Sequence, residues 1–271
     1  MVVLKSLQIH TDSSESTALH RVQTYRFLLP DSAATPKCGY SVLFFLHGFD
    51  SDSMGWLNHT RVAQQLSRFG IVSVFPQGDN GWYTNSYDGK QRFEDDIMQD
   101  FVPHITRKLP IAAPGRAWGI GGMSMGGYGA VKLALKHPET FGTAFSHAGA
   151  MERMLQGDSH PVFGGPITDS GFRRSESPIW LVEQIMCRFP IQRPMLYLDC
   201  GLSDPLLEVN RRFSDHLKFL GYHHQYHEAV GHHTWPYWNR AFRTVLPALA
   251  QSIGAEACQA DPSSENENIV I

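Results

Sequence analysis

Three observations in this chain predict an α/β fold, a mostly parallel sheet with helices on both faces. Short apolar runs such as residues 40–47 (YSVLFFLH) and 71–75 (IVSVF) are near-continuous rather than alternating, as in strands covered on both sides. Segments with helical spacing stand between such runs. Residues 120–129, IGGMSMGGYG, join a strand pattern to a helical one through a corner of small residues, with Ser124 at its tip.

The elements follow in order. Residues 24–30 (TYRFLLP) and 40–47 read as two early strands, and the turn-rich DSAATPKCG between them suggests a hairpin. The second strand ends in the polar loop HGFDSDSMGW, at the carboxyl edge where open α/β sheets bind their ligands. Residues 60–69 have helical spacing and stop at Gly70, and strand 71–75 leads into the long loop PQGDNGWYTNSYDGKQ. Residues 93–109 read as a helix with acids in its first turn and bases in its last, which Pro103 should bend. After the elbow, a helix runs to His137 and a short strand covers 141–146. Residues 152–177 turn irregular, an excursion over the same edge, before a helix at 178–188. A strand at 195–198, a helix at 205–220, a last strand at 223–230 and a helix at 234–253 with Pro236 in its first turn close the domain. Residues 1–254 form one domain in this reading, and the polar, acidic 255–271 a flexible tail.

Bulk properties narrow the function. The chain has 271 residues and a net charge of −3 without runs of lysine or arginine, so no nucleic-acid footprint is visible and a small-molecule partner is expected. The opening MVVLKSLQIHTDSSES lacks the apolar core of a secretory signal and no segment is long and apolar enough to span a membrane, so a soluble, cytoplasmic protein is expected. Cys38, Cys187, Cys200 and Cys258 are far apart and read as reduced thiols.

The chemistry starts from Gly122, Ser124 and Gly126, which supply G-x-S-x-G. A serine hydroxyl is a weak nucleophile near neutral pH, so it needs a histidine base and an acid to orient that base. Downstream, GHHTWPYW offers His233, with His232 as rival, between the last strand and the last helix. DCGLSD offers Asp204, whose competing role is to cap the next helix, and Asp199 at the strand end. An oxyanion would be held by the backbone N–H groups of Met125, next to the nucleophile, and Phe49, on the loop after an early strand. Aromatics gather on predicted carboxyl-edge loops; Trp56, Trp82, Tyr83 and Trp235, with His147 at a strand end, are the candidate pocket residues. The histidines of HHQYHEAVGHH do not make a zinc motif, because His232 lies one residue too far from His227-Glu228 and the segment is strand-like. No metal or cofactor is expected.

Four stretches carry a family likeness: LHGFDSDSMGW, GGMSMGGYGA, DCGLSDPLLEVNRRFSDHL and GHHTWPYW. Through them, residues 20–253 or so resemble the putative-esterase branch of the α/β-hydrolases. That branch includes S-formylglutathione hydrolase (esterase D), feruloyl and acetylxylan esterases, small carboxylesterases and mycolyltransferases. The resemblance implies the α/β-hydrolase fold, places the family's histidine on His233 and its acid on Asp204, and implies a serine carboxylesterase that needs no cofactor. An acyltransferase or thioesterase on the same triad is the alternative within that chemistry; a non-catalytic binding protein that kept the fold is the alternative outside it.

Overall fold

The computed structural model describes residues 7–30, 35–155, 162–163, 170–188 and 193–255. Of the expected tail, all but Ala255 lies outside the described residues, as does much of the irregular 152–177 excursion.

Eight strands form one sheet: β1 (Ile9–Ser16), β2 (Arg21–Leu28), β3 (Ser41–Leu46), β4 (Ile71–Phe75), β5 (Gly115–Met123), β6 (Phe141–His147), β7 (Met195–Gly201) and β8 (His224–Ala229). Their spatial order is β1-β2-β4-β3-β5-β6-β7-β8. The β1–β2 and β2–β4 pairs are antiparallel, and every pair from β4 to β8 is parallel. This is the α/β-hydrolase fold.

The helices are α1 (Gly55–His59), α2 (Val62–Leu66), α3 (Phe93–Asp95), α4 (Val102–Lys108), α5 (Met125–Lys136), α6 (Ser170–Ser175), α7 (Pro178–Arg188), α8 (Leu207–Phe219) and α9 (Trp235–Ser252). Alternation along β3 divides the core in two. Val42, Phe44 and Leu46 join the apolar cluster beneath α4, α5, α7 and α8, while Leu43 and Phe45 join the one beneath α1, α2 and α9. With both faces covered, all six β3 residues are buried.

Three early expectations are corrected. Residues 24–30 and 40–47 do not form a hairpin: β2 pairs with β1 and β4, and β4 lies between β2 and β3. The partner overlooked is β1, IHTDSSES, a polar edge strand whose first five residues are not buried, so no apolar pattern announces it. The helix expected over 93–109 is interrupted by a π-helical turn, Asp96–Phe101, and restarts with Pro103 in the first turn of α4. There the missing N–H of proline costs the helix nothing. The helix expected at 60–69 is shorter, α2 alone (Val62–Leu66), and α1 lies before it in the stretch read as a polar loop.

Candidate active site

The elbow is built by close approach. A Cβ on Gly122 would lie 2.5 Å from the Leu46 carbonyl oxygen, and one on Gly126 would lie 2.3 Å from the same atom. Only glycine lets β5 and α5 come this near to β3. Between them Ser124 is held at φ +54° and ψ −117°, a conformation that strains a residue with a side chain. Its backbone N–H donates to the His147 carbonyl at 3.0 Å, which ties the turn to the end of β6. Ser124 is half-buried and opens into a cleft of about 340 Å³ with Phe49, Trp82, Ala150, Glu152, Arg153, Leu206 and Val209.

His233 and Asp204 meet at the same edge. His233 Nδ1 lies 2.8 Å from Asp204 Oδ2; the carboxylate side chain is fully buried and the imidazole is 27% exposed. The other carboxylate oxygen, Oδ1, accepts the N–H of Leu206 at 2.8 Å. That second bond closes a turn just before α8 and is no helix cap, since the N-cap position of α8 is Leu206 and carries no side-chain cap. The two loops are also joined through their backbones, Ser203 N–H to the Gly231 carbonyl at 2.9 Å and Leu202 N–H to the Ala229 carbonyl at 2.9 Å. Trp238 sets its ring edge-on to His233 at 5.0 Å and limits the imidazole's rotation. His232, the rival base, is exposed. Among the described residues the Ser124 hydroxyl takes no hydrogen bond.

Met125 is the first residue of α5, where an amide has no intrahelical acceptor. Phe49 lies on the loop after β3, and sequence reasoning missed what holds that loop. His47 is buried, with Nδ1 donating to the Gly48 carbonyl at 2.8 Å and Nε2 accepting the Gly78 N–H at 2.9 Å. These partners assign one neutral tautomer, and burial lowers the pKa of His47 in the same sense. Tyr83 donates from its hydroxyl to the His47 carbonyl at 3.1 Å, and Asp50 and Asn80 bond reciprocally at 2.8 and 2.9 Å. The long glycine-rich loop after β4 is therefore a brace for the loop after β3.

The pocket expectation needs correction. Trp82 lines the cleft, but Trp56, Tyr83 and His147 do not, because each is turned into the core. Trp56 donates its indole N–H to the Leu46 carbonyl at 3.0 Å and packs against Phe45 and Phe145. Tyr83 fills the space beside Gly129, and burial holds its hydroxyl protonated, well above the usual tyrosine range. His147 is wholly buried, with Nδ1 2.5 Å from Asp199 Oδ2. Trp235 stacks on His59 at 4.9 Å and meets Trp56 and Trp238 edge-on, away from the described lining of the cleft.

Behind the elbow, Lys132 of α5 is fully buried. Its Nζ reaches the Tyr83 carbonyl at 2.7 Å, Thr84 Oγ1 at 2.9 Å, Glu94 Oε2 at 2.8 Å and Glu176 Oε2 at 2.7 Å. Lys136 joins both glutamates at 2.8 Å. Burial works to raise the pKa of Glu94, but Lys132, His137 and Lys136 hold it well below the usual carboxylate range. No three His, Cys, Asp or Glu side chains gather as a metal site among the described residues. Cys38, Cys187 and Cys200 are free thiols. No described helix is long and apolar enough to cross a membrane.

Comparison with known proteins identifies the family. The model of the family described as "Putative esterase" matches residues 16–249, most of the chain. The chain belongs to that family. Membership makes it a serine ester hydrolase by class. Among individual relatives, it is similar to an acetyl esterase of Caldicellulosiruptor saccharolyticus, 25% identical over 209 residues that cover 73% of this chain and 79% of that one. An esterase of Mycobacterium tuberculosis is 26% identical over 266 residues, 86% of this chain, which spans only 58% of that longer protein. Among solved structures, a fluorophosphonate-binding serine hydrolase of Staphylococcus aureus superposes with a TM-score of 0.80 at 22% identity, over 92% of this chain and 99% of that one. This last likeness is one of fold.

Proposed function

We propose that this member of the esterase family is a serine carboxylesterase for small acyl esters, with Ser124 as nucleophile, His233 as general base and acid, and Asp204 as the group that orients the imidazole. The observation that carries the reading is the 2.8 Å contact between His233 Nδ1 and the buried Asp204 carboxylate, at the sheet edge where strained Ser124 opens into a cleft. With Nδ1–H donated to Asp204, Nε2 is left as the basic nitrogen.

The contact between Ser124 Oγ and His233 Nε2 closes with an ester in place. Oγ then attacks the carbonyl carbon while Nε2 takes its proton, and the carbonyl oxygen becomes an oxyanion that accepts the N–H groups of Phe49 and Met125. Collapse breaks the bond to the alcohol, which leaves with the proton from His233. A water molecule, deprotonated by the same nitrogen, attacks the acyl-enzyme; the acid departs and Oγ recovers its proton. The apolar share of the cleft, Phe49, Trp82, Ala150, Leu206 and Val209, suits a short acyl group.

Turnover of p-nitrophenyl acetate tests the reading. Purified protein is expected to hydrolyse it, and Ser124→Ala to lose at least about 10³-fold of kcat. A Ser124→Ala protein that keeps its turnover would refute it. Added alcohol that diverts the acyl group from water to itself would reassign the enzyme as an acyltransferase on the same residues.

A further inference from the structure

The cleft beside Ser124 carries a cation that acyl transfer itself does not use. Arg153 lies in a short 3₁₀ turn, Arg153–Leu155, and lines the cleft together with Ser124. Its guanidinium carbon sits 5.1 Å from the centre of the Trp82 ring and 5.6 Å from that of Phe163, and both rings are buried. Contact with aromatic faces fixes a guanidinium and leaves its donors in its own plane, around the rim.

Trp82 is itself wedged between Phe49, at 6.0 Å, and Tyr128, at 5.8 Å. The arginine is thus positioned by the wall that begins at the candidate oxyanion loop. Glu152, also in the described lining, is held by Arg212, which donates to its two oxygens at 2.7 and 2.6 Å. The remaining described lining is apolar apart from Ser124.

We infer that Arg153 makes this site selective for esters that carry a carboxylate beside the scissile bond, through hydrogen bonds from the guanidinium to that carboxylate. The inference rests on the esterase reading and adds a substrate class to it. A guanidinium has five N–H donors, so it can receive such a carboxylate alongside any other partner. The pairing is charge-assisted and its bidentate form matches carboxylate geometry, which makes it a device of specificity as well as affinity.

Two matched pairs of esters test it and distinguish which side of the substrate bears the charge. On the acyl side, mono-p-nitrophenyl glutarate is compared with p-nitrophenyl butyrate; on the alcohol side, p-acetoxybenzoate is compared with phenyl acetate. The quantity read is the ratio of kcat/KM, anionic over neutral, after correction for spontaneous hydrolysis. In at least one pair the wild-type ratio is expected to exceed one by about tenfold to a hundredfold. Added salt should lower it. Arg153→Met should collapse the ratio, and Arg153→Lys should keep the larger part.

Ratios near one in both pairs, or a ratio that survives Arg153→Met, would overturn the inference and leave the esterase reading standing. Absence of turnover with all four esters would instead remove the reading beneath it. If Arg153→Met fails to fold, the wild-type ratios and their salt dependence decide the matter alone.

Discussion

Two histidine–aspartate couples stand at the carboxyl edge of one sheet, and the exposure of the imidazole decides what each can do. In the first, His233 Nδ1 meets Asp204 Oδ2 at 2.8 Å, with the carboxylate buried and the imidazole 27% exposed. In the second, His147 Nδ1 meets Asp199 Oδ2 at 2.5 Å, and the imidazole is wholly buried. His147 Nε2 finds no hydrogen-bond partner among the described residues, and the rings of Phe145, Trp56 and Phe242 surround it.

An acid-oriented imidazole is useful as a base only where its second nitrogen reaches a substrate. Sealed in the core, the same couple is a strap. Asp199 also accepts the Tyr237 hydroxyl at 2.9 Å, while the His147 carbonyl receives the Ser124 N–H. The buried couple therefore joins β6, β7 and α9 beneath the elbow. Its loss should be felt in stability, where loss of the other should be felt in rate.

The largest effect expected from breaking this contrast is catalytic. His233→Ala and Asp204→Asn should each lower kcat on p-nitrophenyl acetate by about 10⁴-fold, with the thermal midpoint little changed. His232→Ala, at the exposed neighbour, should keep turnover; the reverse result would move the base by one residue.

Next comes Lys132→Met, which sets a buried apolar side chain against two carboxylates, Glu94 and Glu176, and leaves Lys136 as the cation they share. Removing one partner of such a cluster costs about 3–5 kcal/mol, measurable by urea unfolding. The pH dependence has a definite sign. Because the folded-state pKa of Glu94 is depressed, its contribution is present above the ordinary carboxylate range and is lost as the pH falls through the folded value. The gap in stability between wild type and Lys132→Met should therefore narrow on acidification.

Smaller again is His147→Ala, expected to cost about 2–4 kcal/mol through a cavity and an unpaired Asp199 oxygen. At temperatures where the variant is folded, kcat should stay within about tenfold of wild type. A loss on the scale of His233→Ala would erase the distinction between the two couples.

How much of this the sequence disclosed follows from what local pattern encodes. The elbow was legible because its glycines are demanded by backbone contacts, which leave a signature whatever packs around them. The buried strands were legible from unbroken apolar runs. β1 was not, since an edge strand with solvent on its residues needs no apolar period. The order of strands was misread at β2 and β3 because neighbours in sequence need not be neighbours in a sheet, and β4 inserts between them.

Aromatic positions misled for a related reason. A tryptophan or tyrosine on a loop after a strand turns outward or inward according to tertiary neighbours, and Trp56 and Tyr83 turn inward to hydrogen-bond the Leu46 and His47 carbonyls. His147 looked like a pocket residue from its strand-end position; its partner, 52 residues on, is Asp199, the other acid that DCGLSD offers. The brace of His47 on Gly78 joins positions 31 residues apart and has no spacing signature.

The central claim, one reactive serine at the elbow served by the exposed couple rather than the buried one, is tested most directly by peptide mapping after treatment with a fluorophosphonate. A single adduct on the peptide containing Ser124, formed at the wild-type rate in His147→Ala and strongly slowed in His233→Ala, is the expected result. No adduct, an adduct on another residue, or slowing by His147→Ala with none by His233→Ala would contradict it.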